Sequence, residues 1–156
     1  MTTNSHVRKE ITTQPSVISL CERCGQEHPD CVVCSPTNPV GFKLRPELCA
    51  DGSVEAVFRC TEAFQGYTGI LHGGVTCALL DGIMTHCLFA HDVNAVTAQL
   101  TVRFRYPIVI GKPVRVRARR KSFHAPLHVV EAELTQNGQI KATAAAKFLE
   151  RAHERL

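Results

Sequence analysis

The chain of 156 residues has no tryptophan, only two tyrosines, and 6% aromatic residues in all. It contains no apolar run approaching the ~20 residues that a membrane-spanning helix needs. Its opening, MTTNSHVRKEITTQPSVISL, lacks the continuous apolar core of a secretory signal. The expected setting is therefore cytoplasmic, with no membrane partner. No strong excess of one charge is present: the formal net charge is +4. That balance does not by itself argue for nucleic acid and suits a small anionic ligand equally well. Internal repeats are lacking too. Apolar residues at 44% and charged residues at 21% are ordinary for a soluble chain of one domain.

What the chain has in excess is cysteine, eight in all. Four form two Cys-x-x-Cys pairs, Cys21 with Cys24 and Cys31 with Cys34, with His28 between them. Paired thiolates at that spacing suit a tetrahedral zinc site, so a structural zinc on Cys21, Cys24, Cys31 and Cys34 is expected, against free thiols or a redox pair. Glu22, Glu27 and Asp30 face Arg23 alone in this stretch, which leaves no basic surface and excludes nucleic acid as a partner. Cys49, Cys60, Cys77 and Cys87 fall within strand or helix patterns and read as core residues.

The expected organisation is a flexible leader over 1–20, a Cys-rich knuckle with its SPTNP connector over 21–38, and a main domain over 39–152. Within that domain, VGFKLRPEL (40–48) and VEAVFRCT (54–61) read as strands around a turn at Asp51 and Gly52. Residues 74–90 carry Val75, Leu79, Leu80, Ile83, Met84, Cys87 and Leu88 at helical spacing, with further apolar residues around the circumference, the mark of a buried helix. Four β segments are predicted over 94–106, 112–123, 127–136 and 139–150, the last two joined by the hairpin signal Asn137-Gly138. TVRFRY and VRVRAR alternate apolar with arginine, so each buries one face and solvates the other. The fold class is α+β: an antiparallel sheet against one long central helix, with a second copy of the chain expected to cover what the sheet leaves bare.

Two features of the stretch LHGGVTCALLDGIMTHC carry chemistry. Gly73 and Gly74 open the helix and leave amide groups accessible at its positive end, a geometry suited to an oxyanion or polarised carbonyl, or simply to a tight turn. Asp81 lies about two turns further in, among Leu79, Leu80, Ile83 and Met84. A carboxylate in such surroundings is either partnered, for instance by Thr85, or working as a base or nucleophile.

His72-Gly73-Gly74 with Asp81 nine positions after the His, preceded by QGYTGIL and followed by AVTAQLTVRFRYP, resembles the hotdog-fold acyl-CoA thioesterases of the phenylacetate-pathway type. The resemblance covers about residues 34–150, including NPVGFKL. It implies a hotdog fold, an antiparallel sheet wrapped around a long central helix, and a homodimer or homotetramer. It implies that Gly73 offers its N–H to the thioester carbonyl, that His72 shapes the loop, and that Asp81 is general base or nucleophile across a dimer interface. A hydroxyl at Thr97 would position water. Some relatives of that type carry Asn or Asp where this chain has Gly66, so Gln65, Thr97 or a backbone group is left to hold that water. Gly74, Gln65 and Gly66 are accordingly expected beside the substrate, and no cofactor is expected for catalysis. Two other functions stay open: a non-catalytic acyl-CoA binding module, and a hydratase or dehydratase on the same fold. The arginines at 103, 105, 115, 117, 119 and 120, with Lys121, offer either a phosphate site for coenzyme A or a solvated sheet face.

Overall fold

The computed structural model of the chain describes residues 20–151, with Cys21 as backbone only. The leader expected over 1–20 lies outside the described residues except for Leu20. That residue opens α1 (Leu20–Glu27), a helix the sequence reading did not anticipate. Leu20, Cys24 and His28 recur at four-residue intervals and turn one face inward, while Glu22, Gly25, Gln26 and Glu27 are exposed. Glu22 in the first turn lies where the helix dipole favours negative charge.

β1 (Glu47–Leu48) is much shorter than the strand predicted over 40–48. The reason lies in its hydrogen bonds. The Phe42 amide donates to the Val32 carbonyl at 2.7 Å and the Leu44 amide to the Val33 carbonyl at 2.8 Å, so this stretch pairs with the Cys-rich unit instead of the sheet. The other strands follow expectation closely: β2 (Val54–Arg59), β3 (Ala95–Phe104), β4 (Pro113–His124), β5 (Leu127–Gln136) and β6 (Gln139–Glu150). All pairings are antiparallel, in the order β1-β2-β4-β5-β6-β3. Asn137 and Gly138 turn the β5–β6 hairpin with φ of 53° and 75°, the left-handed pair that a two-residue turn of this twist requires.

The long helix α2 (Gly73–Phe89) packs on one face of this sheet, chiefly against β4. Its circumference divides into three stripes. Thr76, Leu79, Leu80, Ile83, Met84, Cys87 and Leu88 are buried, most of them in one core with Val54, Val114, Val116, Val130, Leu134 and Phe148. Gly82, His86 and Phe89 are buried beneath the Cys-rich unit, so that unit covers much of what a second chain was expected to cover. Cys77, Ala78, Asp81 and Thr85 are only half-buried.

The contact between helix and knuckle explains Gly82. A Cβ there would lie 2.6 Å from Val33 Cγ1, so the glycine is required by close approach of a loop side chain.

Candidate active site

The loop before α2 is built to present the helix N-terminus. Gln65 bridges Leu71, the Gly66 amide donates to the Ile70 carbonyl at 2.9 Å, and the His72 amide donates to the Phe64 carbonyl at 2.9 Å. His72 is the N-cap residue, its Nδ1 accepting the Gly74 N–H at 2.9 Å. This corrects the expectation that both glycine amides stand open: Gly74 is engaged by the cap. A Cβ on Gly74 would lie 3.0 Å from that same Nδ1, which is why the cap needs glycine there. Among the described residues, no acceptor takes the Gly73 N–H, and Gly73 is exposed. It faces Phe104 of β3, whose ring would lie 3.7 Å from a Cβ at that position. Phe104 was foreseen only as part of an alternating strand, not as a wall beside this amide.

Gly66 packs directly on His72, with 3.2 Å from its would-be Cβ to the imidazole Cδ2 and 3.3 Å to the His72 Cα. A side chain there would press the cap out of place. The Gln65 Oε1 accepts the Gly69 amide at 3.2 Å and thereby closes its own loop.

Two turns along α2, Asp81 accepts a hydrogen bond from the Thr97 hydroxyl, Oγ1 to Oδ1 at 2.7 Å. Thr85 had been the alternative partner; its hydroxyl goes instead to the Asp81 backbone carbonyl at 3.1 Å. Asp81 is half-buried in the protomer, more open than its apolar neighbours implied. The reach from β3 to the helix depends on a bulge. Thr97 pairs with Phe148 but Gln99 with Lys147, so Ala98 is an extra residue and the facing parity of the strand changes there. Leu100 and Val102 pack toward the core from even positions, and beyond the bulge Ala95 packs there and Thr97 reaches α2 from odd ones.

Gly73 and Asp81 do not meet within one protomer. Eight residues at ~1.5 Å rise separate them by about 12 Å along the helix axis. A single carbonyl needs both within roughly 3 Å of its reacting atoms. β3 is the last strand of the sheet, and its free edge carries Val96 at 52% and Phe104 at 56% exposure, with Tyr106 just beyond at 54%. Such an edge is a template for pairing with another chain.

The arginines lie mostly on the opposite sheet face, where Arg115, Arg117 and Arg119, with Lys121, are ion-paired. Arg117 reaches Asp51 at 2.6 Å and Ser53 Oγ at 2.9 Å, Arg119 approaches Glu131 at 3.7 Å, and Lys121 meets Glu131 at 2.5 Å. Arg120 stacks over Phe123 at 4.4 Å. A concavity of about 620 Å³ on that face, lined by Thr101, Arg103, Arg117, Glu131 and Thr143, is remote from Asp81 and Gly73. Among the described residues, no helix is long and apolar enough to cross a membrane.

In the Cys-rich unit, Cys31 and Cys34 converge with His28, their ligand atoms all lying within 4.8 Å of one another. Cys24 lines the same small cavity as His28 and Cys34, and the side chain of Cys21 lies outside the described residues. Burial, followed by the neighbouring Cys31, pushes the Cys34 thiol up to about 12. Burial also holds the His86 imidazole down to about 4, with Nδ1 bonded to the Gly82 carbonyl at 3.0 Å.

One helix laid across a six-stranded antiparallel sheet in this order is the hotdog fold of the thioesterases. Residues 68–143, from the loop before α2 into β6, match the thioesterase superfamily model. Among solved structures, the chain is similar to a thioesterase superfamily protein, with 25% identity, a TM-score of 0.73 and 76% of this chain covered; it spans only 62% of that protein's length. It is similar at 27% identity and a TM-score of 0.65 to a putative thioesterase of Ralstonia eutropha related to phenylacetic acid degradation, covering 73% of this chain and 89% of that one. A Streptococcus mutans protein solved with acetyl CoA bound has a TM-score of 0.66 at 19% identity, covering 72% and 91% of the two chains. None of the curated proteins compared matches the chain.

Proposed function

We propose that the protein is a homodimeric acyl-CoA thioesterase that hydrolyses a thioester to the free acid and thiol. The observation that carries this reading is the 2.7 Å bond from Thr97 to a half-buried carboxylate on α2, in a fold whose helix also opens with an untaken amide. The match to the thioesterase superfamily and the likeness to a protein that binds acetyl CoA support the class of substrate.

The chemistry follows from the charges. Asp81 accepts a proton from water, with Thr97 holding the carboxylate in orientation, and the water oxygen bonds to the thioester carbon. The carbonyl oxygen becomes an oxyanion, stabilised by an N–H at the positive end of a helix. The carbon–sulfur bond then breaks, and the departing thiolate takes the proton that Asp81 received. Direct attack by the Asp81 carboxylate, with water releasing the acyl group afterwards, is the other route open to the same residues. Because about 12 Å of helix separates Gly73 from Asp81, the amide that serves one Asp81 belongs to the partner subunit's Gly73. Two copies joined along the free edge of β3 would bring antiparallel helices side by side and make two such sites. His72 caps the helix, Gly74 accommodates that cap, and Gln65 and Gly66 keep the loop in register; none of the four needs to touch the reacting atoms.

The test is thiol release from a panel of short, medium and aryl acyl-CoAs by wild type and Asp81→Asn. The near-isosteric change should reduce turnover by at least ~10²-fold, the contribution typical of a positioned base. Turnover that persists in the variant makes Asp81 structural. Absence of turnover by both proteins, with acyl-CoA still bound, identifies a binding module instead, and hydration of an enoyl-CoA without free thiol identifies a hydratase.

A further inference from the structure

The Cys-rich unit carries chemistry that thioester hydrolysis does not use. Its arrangement is Cys24-x3-His28-x2-Cys31-x2-Cys34. Cys24 and His28 lie one helical turn apart, the His28 amide donating to the Cys24 carbonyl at 2.8 Å, so their side chains share a face at the C-terminal end of α1. The chain then doubles back through Cys31 and Cys34, and the Ser35 amide closes the turn on the Cys31 carbonyl at 3.0 Å. The ligand atoms of His28, Cys31 and Cys34 all fall within 4.8 Å of one another. Zinc bonds of ~2.0–2.3 Å set tetrahedral ligand atoms about 3.5–3.8 Å apart, so only a shift of about 1 Å or less is needed. Cys24 and Cys34 are buried, at 6% and 5% exposure, and both line a small cavity with His28.

Two further observations point to a ligand in that cavity. The Val33 N–H already donates to Cys31 Sγ at 3.3 Å, which holds that sulfur in a fixed orientation beside Cys34 and His28. His86 of α2 lines the cavity from the other side, is 1% exposed, and its Nε2 has no hydrogen-bond partner among the described residues. A buried ring nitrogen left without a partner in a cavity lined by two cysteines and a second imidazole is unusual unless something polar belongs there.

We propose that His28, Cys31 and Cys34, with Cys24 as fourth ligand, bind one zinc ion that fixes the Cys-rich unit in the shape that packs on α2. Cys24 is chosen over Cys21, whose side chain lies outside the described residues, because Cys24 lines the cavity with His28 and Cys34. The role is structural, because four protein ligands leave no open position for substrate. Its consequence is mechanical. The metal would hold the turn that carries Val33 onto Gly82, adjacent to Asp81, and would hold His28 against Phe89, their rings 5.0 Å apart. This inference is independent of the thioesterase reading, since its readout is metal and not turnover.

The test uses the full chain purified under reducing conditions, with metal content measured per chain and Co(II) substituted for Zn(II). About one zinc per chain is expected, and the cobalt form should have the spectrum of a tetrahedral site with thiolate-to-metal charge transfer from three sulfurs. Cys31→Ser with Cys34→Ser should abolish binding, Cys24→Ser should lower the thiolate signal from three sulfurs to two, and Cys21→Ser should leave the spectrum unchanged. Because the double variant could unfold, the cobalt spectrum of the wild type stands as a measurement that needs no variant. A wild-type chain that binds neither zinc nor cobalt overturns the site. A spectrum lost in Cys21→Ser and retained in Cys24→Ser overturns the ligand set.

Discussion

Replacing Gly82 by alanine sets two energies of known size against each other. Alanine is favoured over glycine inside a helix by ~1 kcal/mol, so on local grounds the change stabilises. The added methyl, however, would sit 2.6 Å from Val33 Cγ1, about 1 Å inside the ~3.5–4.0 Å optimum for carbon atoms. Val33 cannot easily retreat. It is β-branched and buried, its amide is bonded to Cys31 Sγ, and its carbonyl accepts the Leu44 amide at 2.8 Å. Overpacking of this kind costs ~1–3 kcal/mol, so Gly82→Ala should destabilise by up to ~2 kcal/mol net. In a Val33→Ala background the clash disappears, and the same change should stabilise by ~1 kcal/mol. Urea unfolding of the four proteins, at one fixed concentration because oligomers gain stability by mass action, gives the coupling directly. The expected coupling is ~1–3 kcal/mol. Stabilisation by ~1 kcal/mol in both backgrounds, with coupling below ~0.5 kcal/mol, would refute the argument that the knuckle rests on α2 through this contact.

Thr97→Val removes the hydroxyl bonded to Asp81 and keeps the shape. A hydrogen bond to a charged group is worth ~1.5–3 kcal/mol, so kcat should fall ~10- to 100-fold with KM little altered; a KM effect alone would place Thr97 in substrate binding instead. Burial pushes Cys60 and Cys87 each up to about 11. Near pH 8 only about one part in a thousand of each is thiolate, so iodoacetamide should label both slowly in the native protein and rapidly after unfolding, as read by mass spectrometry. Fast native labelling of either would contradict its burial.

The elements legible from sequence are those whose patterning is local. The alternation of Val114, Val116 and Ala118 with Arg115, Arg117 and Arg119 expresses a strand with one face on the core, and β4 starts within one residue of the predicted boundary. Asn137-Gly138 defines its own hairpin because only residues tolerant of positive φ make that turn. The apolar run around Asp81 determined a buried helix, and a charged residue inside it singled itself out. Tertiary structure alone decided what that residue meets. By strict alternation with Val102 and Phe104, Thr97 would point away from the helix. One extra residue at Ala98 reverses the parity, and no local signal announces a bulge that depends on how β3 pairs with β6. The Cys-rich unit divides in the same way. Spacing marked the cysteines, but their position on α2, the inclusion of His28, and the need for glycine at position 82 arise from packing between segments some fifty residues apart. Periodicity records which face of an element is buried; only the assembled chain determines what is buried against it.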